Sequence, residues 1–449
     1  MIYSYFNTIE RAYEENNYKI SWICDIILKL NTIFGDDVME NGKFAKNRDK
    51  LKKLMEDNSA WVFFAGHAPM KDLSSVYPFN VDKNFYYLTG IEEEECILLI
   101  YRSGDEYHEK LFINEDNGEM GKWIGKNLTQ GEAYGLSGVE DIDFNTGFLC
   151  RLREIIAEKK LTRLYVQGGK EEPKRPENEQ FAKEFLDMEI LDSLPAMAKL
   201  RVIKEPWELE RMEKAISITK DAFEAMMKNS HPEMYEYEVE AEFDYVLKKN
   251  GVFDKAFDTI AASGKNAVVL HYSKNNCKAV KDDMILVDAG ASWKNYMADI
   301  TRTFPLSGKF TDKQKQVYEI VLGGNKLIEE YITPGIKYET MNEKLLDYYE
   351  TELKKIGLIK TRDEISKYYY HKVGHFLGLE THDVGLVEGM ELAPGMVVTV
   401  EPGLYIEEWG IGVRIEDDVL VTEDGSEVLS KDIIKEIDDI ERFMAENRR

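Results

Sequence analysis

Apolar runs of strand length alternate with amphipathic helical segments in the first two hundred residues. From Asn47 the helical run NRDKLKKLMED is followed by the strand-like segments WVFFAG, ECILLIY, KLFIN and RLYVQG. Runs of this length that are rich in β-branched and aromatic residues favour strands. The pattern predicts an α/β domain over residues 39–200. Within it, the charged stretch GGKEEPKRPENEQ at 168–180 predicts a loop.

A long amphipathic helix opens the second half of the chain. Pro206 is well placed in its first turn, and apolar side chains recur on one face, at Met212, Ile216, Phe223 and Met226. The strand patterns that follow are DMILVDAGA, YMADITRTFPL, GMVVTVEPGLYI and GVRIEDDVLVT, with helices predicted at about 312–332 and 339–356. We therefore expect a second, α+β domain over residues 201–449.

Composition limits the class of protein. The 449 residues are 43% hydrophobic and 32% charged, and the net charge of -26 disfavours nucleic acid and anionic membranes as partners. The apolar run at residues 20–30 is too short to span a bilayer and contains Asp25 and Lys29. The four cysteines form no Cys-x-x-Cys pair. We therefore expect reduced thiols in a cytoplasmic protein that has no targeting signal.

Three of the seven histidines lie in the short segment YYYHKVGHFLGLETHDVG, namely His371, His375 and His382. A zinc-binding helix with glutamate after the first histidine is excluded, because Lys372 occupies that position and Gly374 lies between the first two histidines. The neighbouring residues predict an extended or looped chain. Taken alone, the segment fits hydrogen-bonded core histidines equally well.

Four acidic residues stand at the ends or in the middle of apolar strands. Asp288 ends MILVDAG, Asp299 lies on the strand that returns after the turn-like GASWKNY, Glu401 closes MVVTVEPG, and Glu416 shares a strand face with Arg414. A single aspartate at a strand end is usually a turn residue. Four acids that converge in an apolar site, however, repel one another unless cations are present.

The four acids therefore predict two divalent cations. An oxygen-rich ligand set with one imidazole favours Mn²⁺, with Co²⁺, Fe²⁺ or Zn²⁺ as substitutes. Two such ions roughly 3.5–4 Å apart can deprotonate a bridging water and polarise the carbonyl that it attacks. The chemistry predicted is hydrolysis. The histidine segment would supply one ligand and hydrogen bonds or proton transfer to the reacting amide.

Five segments, in this order along the chain, resemble the motifs of the pita-bread metallopeptidases, specifically the aminopeptidase P and prolidase branch: HYSKNN, LVDAGASWKNYMADITRTFP, HKVGHFLGLETHDVG, VVTVEPGLY and GVRIEDDVLVT. The resemblance runs from about Gly42 to the C-terminus. VYPFNVDKNFYYLTGIEEEECILLI resembles the N-terminal domain of aminopeptidase P, and DITRTFPLSGKFTDKQKQVYEIVL also favours that enzyme over prolidase. The fold implied is an α/β N-terminal domain followed by an α+β pita-bread catalytic domain of the creatinase/aminopeptidase type.

The resemblance also implies roles for individual residues. The metal ligands would be Asp288, Asp299, His375, Glu401 and Glu416. Asp299 and Glu416 would bridge two metals, and Glu401 would also shuttle a proton.

Further positions match residues of the family that are not metal ligands. The family's other histidines are matched by His271, His371 and His382, and His382 would lie nearest the scissile carbonyl. Arg414 matches an arginine behind the ligands, and Tyr405 matches an aromatic group near the site. Lys372 is a departure, because similar enzymes usually have glycine there. A lysine at this position either reaches a substrate carboxylate or extends into solvent, and we favour solvent.

The activity implied is release of the N-terminal residue from peptides whose second residue is proline, by attack of a metal-bridging hydroxide. An Xaa-Pro bond lacks an N–H and has a fixed φ, so proteases that bind extended, hydrogen-bonded substrates handle it poorly. A prolidase restricted to dipeptides is the alternative. A binding module is disfavoured because all ligand positions are filled, and a two-metal phosphatase lacks basic residues for phosphate. Similar enzymes are dimers or tetramers, so we expect a homodimer or homotetramer.

The resemblance does not include residues 1–38, which we expect to be an extension that is not native. Met39 is our hypothesised initiator, because the codons for Gly35 and Asp36 can contain a ribosome-binding sequence, GGAG. A native helix packed on the first domain is the alternative. A peptide wholly within residues 1–38 in the mass spectrum of the native protein would refute the hypothesis.

Overall fold

The computed structural model describes residues 41–169, 176–385 and 389–448. The predictions for residues 1–38 lie outside the described residues. Contacts divide the chain into two compact units, and the division falls between Met197 and Ala198. Among the described residues, no helix combines the length and the apolar character that a bilayer crossing requires.

The first unit is built on a six-stranded mixed sheet. Its strands are β1 (Ser59–Phe64), β2 (Ile97–Ser103), β3 (Glu106–Ile113), β4 (Ile142–Phe144), β5 (Arg163–Val166) and β6 (Glu189–Asp192). They lie in the order β4-β3-β2-β1-β5-β6, antiparallel from β3 to β1 and parallel elsewhere. The predicted strands are confirmed, whereas β4 and β6 were not predicted, because each is short and contains acidic residues that are uncommon in strands.

Seven helices accompany this sheet in the described residues: α1 (Asn41–Lys52), α2 (Lys83–Thr89), α3 (Gly121–Ile124), α4 (Gln130–Ser137), α5 (Phe148–Lys159), α6 (Pro176–Glu184) and α7 (Leu194–Arg201). Apolar residues of α5, α6 and one sheet face form a buried core. The predicted loop at 168–180 is wrong from Pro176 onward. A proline followed by Glu177 and Glu179 suits a helix N-terminus, and Phe181 on the same helix is buried.

In the part of the second unit that the structure describes, there are five α-helices and ten short strands. The helices are α8 (Pro206–Asn229), α9 (Glu236–Lys249), α10 (Asp312–Tyr331), α11 (Glu339–Lys355) and α12 (Ile437–Asn447). The strands are β7 (Ile260–Ser263), β8 (Met284–Ala289), β9 (Ser292–Trp293), β10 (Tyr296–Met297), β11 (Ile300–Pro305), β12 (Val397–Val400), β13 (Gly403–Ile406), β14 (Ile411–Arg414), β15 (Asp417–Val421) and β16 (Ser426–Val428). The strands pair antiparallel as β11-β8-β7, β12-β15-β16, β13-β14 and β9-β10.

The long helices of this unit confirm the predicted ones. The apolar face of α8 is buried, including Met212, Ile216, Phe223 and Met226. Pro206 occupies its first turn, where a missing N–H costs nothing. At the start of α10, the Thr311 side chain and Gln314 form a capping box.

Two strand predictions need correction. The segment GVRIEDDVLVT forms two strands, because β14 pairs with β13 and β15 pairs with β12. Glu416 therefore lies between strands instead of sharing a strand face with Arg414. The turn after Asp288 is the small hairpin β9-β10, in which Lys294 and Asn295 have φ of 48° and 65°. Two consecutive left-handed residues give the turn type that matches the twist of a hairpin.

Gly290 lies where the chain leaves β8, and only a residue without a side chain fits there. A Cβ atom would lie 1.7 Å from the Ala298 carbonyl oxygen. We expect Gly290→Ala to lower the free energy of unfolding by about 1–3 kcal/mol, the usual cost of overpacking a core. Urea unfolding followed by circular dichroism tests this against Gly425→Ala, whose Cβ would meet no atom within 4 Å. Equal stability of the two variants would contradict the prediction.

Candidate metal centre

The first two acidic residues come from one antiparallel strand pair. Asp288 lies in β8 opposite Thr301 of β11, and Asp299 immediately precedes β11. The hairpin between the two strands returns the chain so that both carboxylates belong to the same end of the sheet. The structure therefore brings together two acids that the sequence analysis placed on neighbouring strands.

The other two acids come from a second sheet. Glu401 immediately follows β12 and Glu416 immediately precedes β15, and these strands pair with Val400 opposite Asp417. The Glu416 N–H donates to the Thr301 carbonyl at 3.0 Å, which joins this sheet to β11. All four acids consequently meet where the ends of the two sheets adjoin.

His375 reaches these acids from an extended segment beside β12. Its carbonyl accepts from the Thr399 N–H at 2.8 Å, and its N–H donates to Thr399 Oγ1 at 3.0 Å. Its Nε2 lies 3.3 Å from Asp299 Oδ2 and 3.7 Å from Glu401 Oε1. Asp299, His375 and Glu416 each offer a ligand atom, and these atoms lie within 4.8 Å of one another.

Burial and mutual repulsion raise the pKa values of Asp299, Glu401 and Glu416 in the protein alone. Burial, with added repulsion from Asp288, raises the pKa of Asp299 well above its usual range, and burial and Asp299 do the same for Glu416. Burial raises the pKa of Glu401 to about 7, against the opposing effect of His375. Positive charge among the carboxylates would remove this cost.

The oxygens of the site fit a bound cation. Oδ1 of Asp288 and Oδ1 of Asp299 are buried and have no hydrogen-bond partner among the described residues. Buried carboxylate oxygens without partners call for a ligand, water or ion. Together with the imidazole of His375, they form the oxygen-rich donor set that hard and borderline divalent cations prefer.

A buried arginine organises the back of the site. Arg414 donates from Nη2 to Asp288 Oδ2 at 2.7 Å, from Nε to Thr301 Oγ1 at 3.1 Å and from Nη1 to the Tyr405 hydroxyl at 3.1 Å. Thr301 Oγ1 in turn donates to Glu416 Oε2 at 2.7 Å. One guanidinium thus fixes acids from both sheets.

His371 extends the same network. Its Nε2 lies 2.9 Å from the Tyr405 hydroxyl, and its Nδ1 lies 2.7 Å from the Lys372 carbonyl. Because a carbonyl only accepts, Nδ1 carries the proton and Nε2 accepts from Tyr405. Burial, and then Arg414, lower the pKa of His371 to about 4, so the ring is neutral at neutral pH.

The remaining predicted residues lie around this centre. The His382 ring packs edge-on against His375, with ring centroids 4.3 Å apart. The charge of His271 lowers the pKa values of both His371 and His382, although burial is the larger cause for each. Lys372 is exposed, as favoured.

The sequence analysis missed three residues of the site. Asp418 is fully buried, accepts from the Asp299 N–H at 3.2 Å and has one oxygen without a partner among the described residues. Thr301 and Thr399 hold Glu416 and His375 in place. The signal available for Asp418 was an aspartate inside the strand-like run DDVLV, a position where aspartate is uncommon.

Two domains with this architecture and this set of converging acids and histidines define the class of pita-bread metallopeptidases. Comparison with known proteins gives the family. Residues 210–423 match metallopeptidase family M24, and residues 44–165 match the aminopeptidase P, N-terminal domain. The chain is 30% identical to the Xaa-Pro aminopeptidase of Escherichia coli K12 over 446 residues, covering 91% of this chain and 98% of that protein.

Solved structures agree with the sequence comparison. A candidate aminopeptidase P from Bacillus anthracis is 43% identical with a TM-score of 0.88, covering 91% of this chain and 99% of that one. Zinc-substituted E. coli aminopeptidase P in complex with product is 30% identical with a TM-score of 0.85 over the same shares. The chain therefore belongs to the Xaa-Pro aminopeptidases of metallopeptidase family M24. The predicted family and fold class are confirmed.

Proposed function

We propose that this chain removes the N-terminal residue from peptides with proline at the second position, using two divalent cations. The observation that supports this most directly is the convergence of Asp288, Asp299, His375, Glu401 and Glu416 at the adjoining ends of two sheets, with buried carboxylate oxygens that lack partners. Family membership supplies the substrate class, and the E. coli relative is known with the inhibitor Pro-Leu.

The five residues would hold the cations, with Asp299 and Glu416 between them. Mn²⁺ is our first choice, and the zinc-substituted form of the E. coli relative is compatible with Zn²⁺ as a substitute. When bound, the cations supply a water of lowered pKa and polarise the carbonyl of the scissile bond. Arg414 and Thr301 keep Asp288 and Glu416 in the orientation that binding requires.

The chain's other residues handle protons and charge. Glu401 accepts the proton of the attacking water and passes it to the proline nitrogen that leaves. His382, on the rim beside His375, donates a hydrogen bond to the carbonyl oxygen as negative charge develops there. His371 is neutral and bonded to Tyr405, and with His271 it lines the approach of the peptide. We also propose a cytoplasmic homo-oligomer, in keeping with the three free cysteines of the described residues.

The test is hydrolysis of Arg-Pro-Pro and Arg-Pro by metal-stripped protein, with and without added Mn²⁺. We expect arginine to be released from the tripeptide only when metal is present, with little cleavage of the dipeptide. Activity confined to Arg-Pro would mean a prolidase. If no divalent metal supports cleavage of either peptide, the proposed function is wrong.

A further inference from the structure

The loop that begins directly after His271, residues 272–277, is fastened at both ends to one buried carboxylate. Glu236, the first residue of α9, is fully buried. Its Oε2 accepts from the Tyr272 hydroxyl at 2.8 Å and from the Cys277 N–H at 2.9 Å. The Glu236 N–H also donates to the Cys277 carbonyl at 3.0 Å. A segment without helix or strand is thereby closed into a fixed shape.

The second oxygen of Glu236 is equally occupied. Its Oε1 accepts from the N–H and the hydroxyl of Ser263 and from Asn266 Nδ2, each at 2.8 Å. A buried carboxylate is tolerated only when hydrogen bonds satisfy it, and this one accepts five. Ser263 ends β7, so the loop is tied to the same sheet that carries Asp288.

Asn275 provides an independent anchor within the loop. Its Oδ1 accepts from the Ala261 N–H at 3.0 Å, and its Nδ2 donates to the Thr259 carbonyl and to Glu240 Oε2, both at 2.8 Å. Its φ of 43° is left-handed, a conformation that asparagine tolerates better than most residues. The loop therefore has one specified conformation.

His271 itself depends on this frame. Its side chain is exposed, and within the described residues its ring makes no hydrogen bond. Its neighbours Leu270 and Tyr272 pack against the buried cluster that contains Tyr405, the residue whose hydroxyl lies 2.9 Å from His371 Nε2. The position of the imidazole is consequently set through the backbone by its neighbour Tyr272 and by the carboxylate that Tyr272 contacts.

We propose that Glu236 is a positioning residue for His271, holding it toward the bound peptide through Tyr272 and Cys277. The inference rests on the proposed function, in which His271 lines the approach of the peptide. None of the five groups that donate to Glu236 belongs to a proposed metal ligand, and we place the substrate outside its reach. Its effect on the reaction is transmitted entirely by the loop.

The first test compares Glu236→Gln and Tyr272→Phe with the parent protein on Arg-Pro-Pro. Glutamine keeps the shape but turns an N–H₂ group toward donors, so we expect kcat/KM to fall about tenfold, as for a modest misplacement of a reacting group. Tyr272→Phe removes one of the five bonds and should give a smaller loss in the same direction. Tyr237→Phe, on an exposed position of the same helix, is the control and should change nothing. If Glu236→Gln does not fold, Tyr272→Phe carries the test.

A double-mutant cycle separates positioning from a merely structural role. In a His271→Ala background, we expect Glu236→Gln and Tyr272→Phe to cause little further loss, because the group they position is gone. Equal losses in both backgrounds would overturn the inference. So would a His271→Ala variant with the parent's kcat/KM, since nothing would then need positioning.

Amide hydrogen exchange supplies a readout that does not depend on activity. We expect Glu236→Gln to speed exchange in peptides covering residues 271–277 and not in peptides from α10. If the parent fails to cleave any Xaa-Pro peptide, the proposed function is wrong, while faster exchange still supports the anchoring of His271 by Glu236. Unchanged exchange overturns the anchoring whatever the activity.

Discussion

Glu416→Gln is expected to lower kcat/KM for Arg-Pro-Pro by more than about 100-fold. Removing a residue that only orients a metal ligand already lowers metal affinity or activity about 10- to 100-fold, and Glu416 is a proposed ligand itself. Glutamine preserves the size of the side chain and can still accept from Thr301 Oγ1. It removes one carboxylate oxygen and the negative charge. Metal analysis of the purified variant should show fewer bound divalent ions per chain than the parent.

The same substitution should stabilise the metal-stripped protein. Burial and Asp299 raise the pKa of Glu416 well above its value in the unfolded chain. The folded state therefore holds this proton more tightly, and its stability falls as pH rises beyond the unfolded pKa of about 4.3. Glutamine does not ionise, so at pH 7.5 the variant is not destabilised by a buried negative charge at this position. We expect its free energy of unfolding to exceed that of the stripped parent by at least about 1 kcal/mol.

Urea unfolding in excess chelator at pH 5 and pH 7.5 measures this difference, which should be larger at the higher pH. Glu423→Gln is the matched control, because Glu423 is exposed in the turn between β15 and β16, and its substitution should affect neither activity nor stability. A Glu416→Gln variant that keeps both its metal and its activity would contradict the assignment of Glu416 as a ligand. A stripped variant less stable than the parent would contradict the repulsion argument.

Local pattern was sufficient to find the acids that converge at the strand ends and to predict the long helices. Strand-length apolar runs that end in acid located Asp288 and Glu401, and the face of α8 followed from helical spacing. The family resemblance added the roles of His375 and the other histidines. These features are readable because each depends on residues close together in sequence.

What could not be predicted depends on pairing between distant segments. The break of GVRIEDDVLVT into β14 and β15 is caused by two different partner strands, and the apolar pattern runs through it unchanged. Thr301 and Thr399 look like ordinary strand residues until the sheets adjoin. Asp418 was hidden by its two acidic neighbours, since a run of three acids is normally a solvated surface.

Arg414→Lys is expected to lower kcat/KM by about 10- to 100-fold and to weaken metal binding. The substitution keeps the positive charge, so it tests geometry alone. The guanidinium reaches Asp288, Thr301 and the Tyr405 hydroxyl from three different nitrogens, and a single ammonium cannot span those positions. Arg362→Lys is the control, because Arg362 also contacts several acids but lies near the surface, where such pairs contribute little.

Tyr405→Phe shows how far the effect of Arg414 extends. The Tyr405 hydroxyl accepts a hydrogen bond from Arg414 and donates one to His371. Removing the hydroxyl therefore disconnects Arg414 from the neutral histidine, while the hydrogen bonds from Arg414 to Asp288 and Thr301 remain. If Arg414 acts chiefly through Asp288, Tyr405→Phe should cost less than Arg414→Lys, and only the arginine variant should require more Mn²⁺ for half-maximal activity. If both variants need the same higher Mn²⁺ concentration for half-maximal activity, the arginine acts through Tyr405 and His371. Its hydrogen bond to Asp288 would then not be the contact that keeps this ligand in position. Because Arg414 and Tyr405 are in contact, the loss of kcat/KM in the double variant, expressed as free energy, should be smaller than the sum of the two single losses.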